Sequence, residues 1–276
     1  MPILPGPSHG RRCGAASALL PVVFAAAAGG PLGAQARAAD DRPAIEPRLI
    51  ATQQLTERDG LPRALVYGTA RAADGATWVA TAIGPHRWNG RRFAAEPLPS
   101  PYDAIAVRHL LPVGPTMWGA TTRGLFRHDG RRWTRIVDSP DGRLWRLAAW
   151  RPRAGGTSIV VAGGDTRLHA FDAATQRPVP LATAGFPATL PMLAVTRADA
   201  DELLWVASLR HGIWRLRGTA GAAPTWALRA GAAGTIFEDV RACPQLGPDA
   251  VVAASDSGAW ALSATGAPRR LGPARN

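Results

Sequence analysis

Short β-prone runs of apolar residues alternate with turn residues from about residue 48 to Leu271. Gly, Pro, Asn and Asp punctuate the runs, and helical periodicity does not persist in any part of this region. This pattern predicts an all-β domain built from short strands.

Two stretches of this region are near copies of each other. ATWVATAIGPHRWNGRRF, residues 76–93, returns 40 residues later as TMWGATTRGLFRHDGRRW, residues 116–133. Looser copies are SIVVAGGDTRLHAFDAAT, LLWVASLRHGIWRLRG and AVVAASDSGAWALSATG. A period of about 40 residues built from short strands is typical of propeller blades. Each copy also follows one β-prone run and precedes another, so each repeat predicts four strands, A to D. The predicted fold is a β-propeller with five recognisable four-stranded blades, spanning residues 47–276.

The repeated residues have predicted structural roles. Large side chains on strand B should fill the contact between blades, and small residues should occupy the next inward position. Glycines that open strand C should provide the positive φ or close approach of a B to C turn. Asn-Gly and Asp-Gly should form two-residue C to D turns. The residues concerned are Trp78, Trp118 and Trp205; Ala80, Ala120 and Ala207; Gly84, Gly124, Gly212 and Gly258; and Asn89-Gly90 and Asp129-Gly130.

The two ends of the repeat region raise the question of ring closure. RLIATQQL, residues 48–55, resembles a strand D without a blade of its own. The last repeat lacks a convincing strand D, because APRRLGPARN is short and contains a proline. We therefore expect the N-terminal strand to complete the last blade and close the ring.

The first repeat also contains a recognisable series of short motifs. It reads DGLP at residues 59–62, Asp74-Gly75, WVAT at residues 78–81, Gly84, and RWNG at residues 87–90. This pattern resembles the two-component regulator propeller repeat, over roughly residues 47–272. In that family the repeats form periplasmic sensor propellers, usually fused to a membrane helix and an intracellular histidine kinase or diguanylate cyclase.

The resemblance implies an exported sensor propeller and a membrane-bound signalling partner. The sequence up to Asn276 contains no pattern of an output domain, so we expect none on this chain. Propeller scaffolds also host enzymes and assembly factors. A polysaccharide lyase or glycosidase, or a periplasmic assembly or scaffold factor, therefore stays as an alternative function.

The first 36 residues have the pattern of a secretory signal peptide. Arg11 and Arg12 precede an apolar stretch at residues 15–28, and Ala-Gln-Ala at residues 34–36 fits a cleavage site. Residues 37–46 are predicted to be a linker. No later segment is apolar enough to span a bilayer, so the expected location is the periplasm or the medium, with no membrane span after cleavage.

The formal net charge is +12, and all 32 basic residues are arginine. Because the arginines are spread through the repeats and form no stripe, we expect no nucleic-acid partner. The histidines have no metal-ligand spacing, and nucleotide, dinucleotide and hydrolase motifs are absent from the sequence. The sequence therefore predicts no metal, no cofactor and no catalytic residue, and favours a protein that binds without turnover.

Propellers commonly bind ligands at the mouth of the central channel, where the D to A and B to C loops emerge. The arginines in these loops suit an anionic or polyhydroxylated ligand, such as a small molecule or an oligosaccharide. Trp145 and Trp150, on a strand A, fit either the channel or the blade interface. The predicted ligand-binding residues are Tyr102, Arg123, Arg143, Asp165, Arg210, His211 and Asp256.

Overall fold

The computed structural model describes residues 54–139, 142–151, 157–181, 192–198, 203–209, 211–219, 222–231, 235–263 and 265–272. The predicted signal peptide and linker lie outside these residues, as do Arg210 and the N-terminal run up to residue 53. Two single-turn 3-10 helices, Glu57–Asp59 and Pro244–Leu246, accompany the strands. No helix in the described ranges is long and apolar enough to cross a membrane.

The strands form five antiparallel sheets in chain order. The first sheet contains β1 (Val66–Arg71), β2 (Thr77–Thr81), β3 (Gly84–Trp88) and β4 (Phe93–Ala95). The second contains β5 (Val107–Val113), β6 (Thr116–Thr121), β7 (Gly124–His128) and β8 (Trp133–Asp138). The third contains β9 (Leu144–Trp150), β10 (Ile159–Gly164) and β11 (Leu168–Asp172).

The last two sheets each have four strands. The fourth sheet contains β12 (Met192–Ala198), β13 (Leu203–Ser208), β14 (Gly212–Thr219) and β15 (Ala222–Ala230). The fifth contains β16 (Phe237–Ala242), β17 (Val251–Ser255), β18 (Gly258–Leu262) and β19 (Arg269–Leu271). In every sheet the spatial order of the strands follows their order in the chain.

The first strands of consecutive sheets lie next to one another. β1 contacts β5, β5 contacts β9, β9 contacts β12, and β12 contacts β16. Sheets whose innermost strands are neighbours, and whose later strands radiate outward, are the blades of a β-propeller. The predicted β-propeller of four-stranded blades is confirmed, whereas closure of the ring by the N-terminal strand stays a prediction.

Two sheets differ from the prediction at their outer edge. The last sheet has a fourth strand of its own, β19, so the expectation that it lacks one is wrong. Pro268 precedes β19 and therefore removes no hydrogen bond from the ladder. In the third sheet, the chain after β11 forms a single bridge between Phe171 and Pro178. Pro178 and Pro180 have no backbone N–H, which limits further pairing.

Each apolar cluster lies between two consecutive sheets. Trp78, from the first sheet, packs with Leu110 and Phe126 of the second. Trp118, from the second sheet, packs against the third, and Trp205, from the fourth, packs against the fifth. All three tryptophans and their small neighbours Ala80, Ala120 and Ala207 are buried. The predicted role of these repeat positions is confirmed.

The spacing that recurs between the repeats also reflects turn chemistry. The hydroxyls of Thr81 and Thr121 donate hydrogen bonds to the carbonyl oxygens of Gly84 and Gly124, at 2.6 and 2.8 Å. The C to D loops are longer than predicted. Each has four residues, 89–92 and 129–132, because the Asn or Asp that opens the loop accepts hydrogen bonds from the two arginine amides that end it.

Candidate functional site

The first strand of every sheet contains a β-bulge at its second residue. In each case the strand has one residue more than the facing stretch of the second strand. A bulge of this kind leaves the extra residue out of the ladder and redirects the local chain. The five bulged residues are Tyr67, Arg108, Trp145, Leu193 and Glu238.

A cavity of about 340 Å³ lies where the bulged strands meet. Four of the bulged residues line this cavity, which we call the central pocket. Its lining comes from β1, β5, β9, β16 and the turn after β13, and thus from all five sheets. The lining residues are Tyr67, Arg108, Trp145, Arg146, Leu209 and Glu238.

Arg108 lies between two aromatic rings of the central pocket. Its Cζ is 4.2 Å from the ring centroid of Tyr67 and 4.8 Å from that of Trp145. Both contacts are within the range of cation–π attraction, which favours a guanidinium over the face of an aromatic ring. The Arg108 side chain has no hydrogen-bond or ion-pair partner among the described residues, and its Nε is buried. The rings therefore orient a cation whose Nη1 and Nη2 donors have no partner among the described residues.

Asp165 holds Trp145 in position. The indole Nε1 donates a hydrogen bond to Asp165 Oδ1 at 2.5 Å, and the backbone N–H of Arg143 donates to Oδ2 at 2.9 Å. The Arg143 side chain adds a contact of 3.4 Å to Oδ2. Partial burial raises the pKa of Asp165, but these hydrogen bonds outweigh it and lower the pKa overall. Asp165 is therefore an ionised anchor for one wall of the pocket.

On β5, β9 and β16 the residue after the bulge belongs to a cluster of polar side chains at the pocket. Arg146 Nη2, on β9, lies 3.1 Å from Asp239 Oδ2, on β16. Arg241 Nε lies 3.0 Å from the same oxygen. Because β9 and β16 belong to the third and fifth sheets, the Arg146–Asp239 ion pair joins two blades that are not consecutive.

His109, on β5, belongs to the same cluster. Its Nδ1 accepts a hydrogen bond from the backbone N–H of Leu147 at 3.2 Å, which links the second and third sheets. Burial, followed by the positive charges of Arg146 and Arg241, lowers the pKa of His109 to about 3. The imidazole is therefore neutral across the physiological pH range.

We expect His109 to make the fold sensitive to mild acid. The unfolded chain protonates this residue below its ordinary pKa of 6.5, whereas the folded chain does not until about pH 3. Stability is therefore lost as the pH falls through this window. From pH 7 to pH 5 the loss due to His109 should be about 2 kcal/mol.

Urea unfolding at pH 7 and pH 5 measures this effect. His109→Asn is the matched control, because its side-chain oxygen can accept the Leu147 hydrogen bond but cannot titrate. The variant should lose less stability than the wild type over this interval, by about 2 kcal/mol. Equal losses in the two proteins would contradict the assignment.

The structure brings the predicted site residues together in two pairs. Arg143 and Asp165 form the anchor beside the central pocket. Tyr102 and Arg123 line a different groove of about 440 Å³, together with Pro101, Asp138 and Ser139. In this groove the Tyr102 hydroxyl donates to Asp138 Oδ1 at 2.9 Å and accepts from Arg135 Nη1 at 2.6 Å.

The other predicted residues lie apart from these pairs. Asp256 Oδ1, in the turn after β17, accepts a hydrogen bond at 3.2 Å from the backbone N–H of Ile236, which lies just before β16. His211 is exposed, and its carbonyl oxygen accepts from Trp214 Nε1 at 2.8 Å. Arg210 is outside the described residues. Trp145 and Trp150 were expected either in the channel or at the blade interface. Trp145 lines the central pocket, and Trp150 is buried between the third and fourth sheets.

Reasoning from loops missed Tyr67, Arg108, Arg146 and Glu238, which are on strands. A signal for three of them was present in the sequence, because Tyr67, Arg108 and Glu238 each follow the apolar residue that opens a strand A. These positions vary from aromatic to basic to acidic, while the residue before them stays apolar. An alignment of the five strand A segments would have identified this variable position.

No known family profile matches the sequence, and no curated protein matches it. Solved structures do match. The extracellular domain of a hybrid two-component system from B. thetaiotaomicron has a TM-score of 0.53 and 16% identity, over 81% of this chain and 37% of that one. A chain of the mitotic checkpoint complex has a TM-score of 0.55 and 16% identity, over 76% of this chain and 64% of that one.

A second extracellular domain from B. thetaiotaomicron has a TM-score of 0.44 and 10% identity, over 77% of this chain and 34% of that one. The chain thus spans about a third of the length of these bacterial domains. At such identities the comparisons show the β-propeller fold alone.

Proposed function

We propose that this chain is an exported β-propeller that binds a small anionic ligand in the central pocket, without turnover, and reports its presence to a membrane-bound signalling partner. The observation that carries the proposal is Arg108, a guanidinium stacked between Tyr67 and Trp145 with no counter-ion among the described residues. A planar cation that is oriented but unpaired is suited to a carboxylate, which it can bind through two parallel hydrogen bonds.

The surroundings of Arg108 support an anionic ligand. The other charged groups near the pocket are largely paired with one another: Asp165 with Arg143, and Asp239 with Arg146 and Arg241. These ion pairs hold the walls of the pocket in place and neutralise the carboxylates of Asp165 and Asp239. Glu238, the remaining carboxylate of the pocket lining, forms no ion pair with Arg108, so the guanidinium stays available to a ligand carboxylate.

The sensor role is supported by the resemblance of the repeat to that of two-component regulators. The predicted signal peptide is consistent with it, because it would deliver the propeller to the compartment in which such sensors work. Signalling would then depend on a partner protein that recognises the liganded propeller.

Thermal-shift measurements with matched pairs of compounds test the binding function. The pairs are galacturonate with galactose and 3-phenylpropionate with 3-phenylpropanol, in which only the first member carries a carboxylate. We expect the acids to raise the melting temperature of the wild type more than the neutral partners do. Arg108→Gln should abolish the difference, because Gln keeps much of the side chain but not the charge.

Arg91→Gln is the control for net charge. Arg91 is exposed on the C to D loop of the first sheet, away from the central pocket. The Arg91→Gln variant should keep the full thermal response to the acids. Equal responses to acids and neutral compounds in the wild type, or an unchanged response in Arg108→Gln, would overturn the proposed site. Chemical conversion of galacturonate or galactose by the protein would overturn the view that it binds without turnover.

A further inference from the structure

We infer that the ligand of the central pocket carries a cationic group as well as a carboxylate, and that Glu238 binds the cationic group. This inference rests on the proposed function. It assigns a second recognition element to the same pocket and places the ligand in the class of amino acids and related zwitterions.

Glu238 occupies the position on β16 that corresponds to Arg108 on β5. Both are the extra residue of a bulge, and both line the central pocket. The Glu238 side chain is exposed and, within the described part of the chain, has no hydrogen-bond or ion-pair partner. This distinguishes it from its neighbour Asp239, which contacts Arg146 and Arg241.

Arg108 and Glu238 face one cavity without pairing with each other. They belong to the second and fifth sheets, and the Arg108 guanidinium is held between two rings that belong to the first and third sheets. The stacking limits the movement that would bring the guanidinium to Glu238. The pocket therefore presents one unpaired positive group and one unpaired negative group at separate positions on its wall.

A ligand with two opposite charges satisfies both positions at once. A ligand with a carboxylate alone would pair with Arg108 but leave Glu238 unpaired. The Glu238 carboxylate would then repel the ligand carboxylate. Glu238 thereby favours zwitterions over simple acids of the same shape, as expected when specificity arises partly from unfavourable contacts with competitors. Because Glu238 is exposed, the preference should be about fivefold in Kd.

Isothermal titration at millimolar concentrations of three matched probes tests this inference. Phenylalanine carries both charges, 3-phenylpropionate carries only the carboxylate, and 2-phenylethylamine carries only the ammonium group. We expect the wild type to bind phenylalanine about fivefold more tightly than 3-phenylpropionate. Glu238→Gln should remove this preference and leave 3-phenylpropionate bound at least as tightly as in the wild type.

The outcomes separate the inference from the proposed function. If the wild type binds 3-phenylpropionate as tightly as phenylalanine, or if Glu238→Gln keeps the preference for phenylalanine, the role of Glu238 is overturned and the anion site stands. If neither carboxylate binds, or if Arg108→Gln binds both as the wild type does, both proposals fall. If the wild type binds 2-phenylethylamine tightly and binds neither carboxylate, the anion site is likewise contradicted.

Discussion

Trp118→Ala should lower the free energy of unfolding by about 3–5 kcal/mol. Trp118 is fully buried and packs with Leu125 of its own sheet and with Leu144 and Val160 of the third sheet. Its removal takes apolar area from the contact between two blades and leaves a cavity that rigid sheets cannot readily fill. The indole Nε1 has no hydrogen-bond partner in the described structure, so the loss is one of packing.

Urea unfolding followed by circular dichroism measures this loss. Trp88→Ala is the matched control, because Trp88 is at the end of β3, half-buried, and has an edge-to-face contact with Phe93. It should cost only about 1 kcal/mol. Similar losses for the two variants would contradict the view that the strand B tryptophans provide the main contact between blades.

Gly124→Ala should cost about 3 kcal/mol. Gly124 opens β7 with φ +142, and a Cβ there would lie 2.1 Å from the carbonyl oxygen of Val137 on β8. The methyl group thus meets the backbone of the neighbouring strand, which cannot move without breaking the ladder between β7 and β8. The expected cost has two parts, an unfavourable φ and a steric overlap.

Gly84→Ala separates the two parts. Gly84 has the same position in the first sheet and a φ of +112, but its nearest neighbour would be the carbonyl oxygen of Asp103 at 3.4 Å, which is an ordinary contact. This variant should cost about 1 kcal/mol, from the backbone conformation alone. Thermal unfolding of the two variants side by side gives the comparison. An equal fall in melting temperature would show that the overlap at Gly124 is relieved.

The sequence was sufficient to predict the parts of the fold that depend on local chemistry. The recurrence of Trp78 at Trp118 and Trp205 predicted both the blades and the residues between them. The glycines at the start of strand C predicted the positive φ angles, because other residues rarely adopt them. These features follow from the order of residues within a single repeat.

The outer edge of the fifth sheet was harder to predict. A proline near the end of the chain argues against a strand, but Pro268 lies just before β19, where its missing N–H removes no ladder hydrogen bond. The position of a proline relative to the first ladder hydrogen bond, rather than its presence, decides whether a strand forms.

The central pocket could not be predicted because its residues are distant in sequence. Tyr67 and Glu238 are brought together only by the arrangement of the sheets. The bulges contribute as well, because they change which residues of β1, β5, β9 and β16 line the central pocket. A simple alternation of inward and outward residues does not apply at Arg108 or Trp145, where the ladder contains an extra residue.

The bulged position has a consequence for how such a protein can diversify. Since the extra residue of each first strand is outside the ladder register, its identity is decoupled from strand pairing. Recombination that exchanges one repeat for another would replace a single wall of the pocket and keep the scaffold intact. Four of the five repeats contribute their bulged residue to the pocket lining, so new ligand preferences become accessible by changing one repeat at a time without rebuilding the fold.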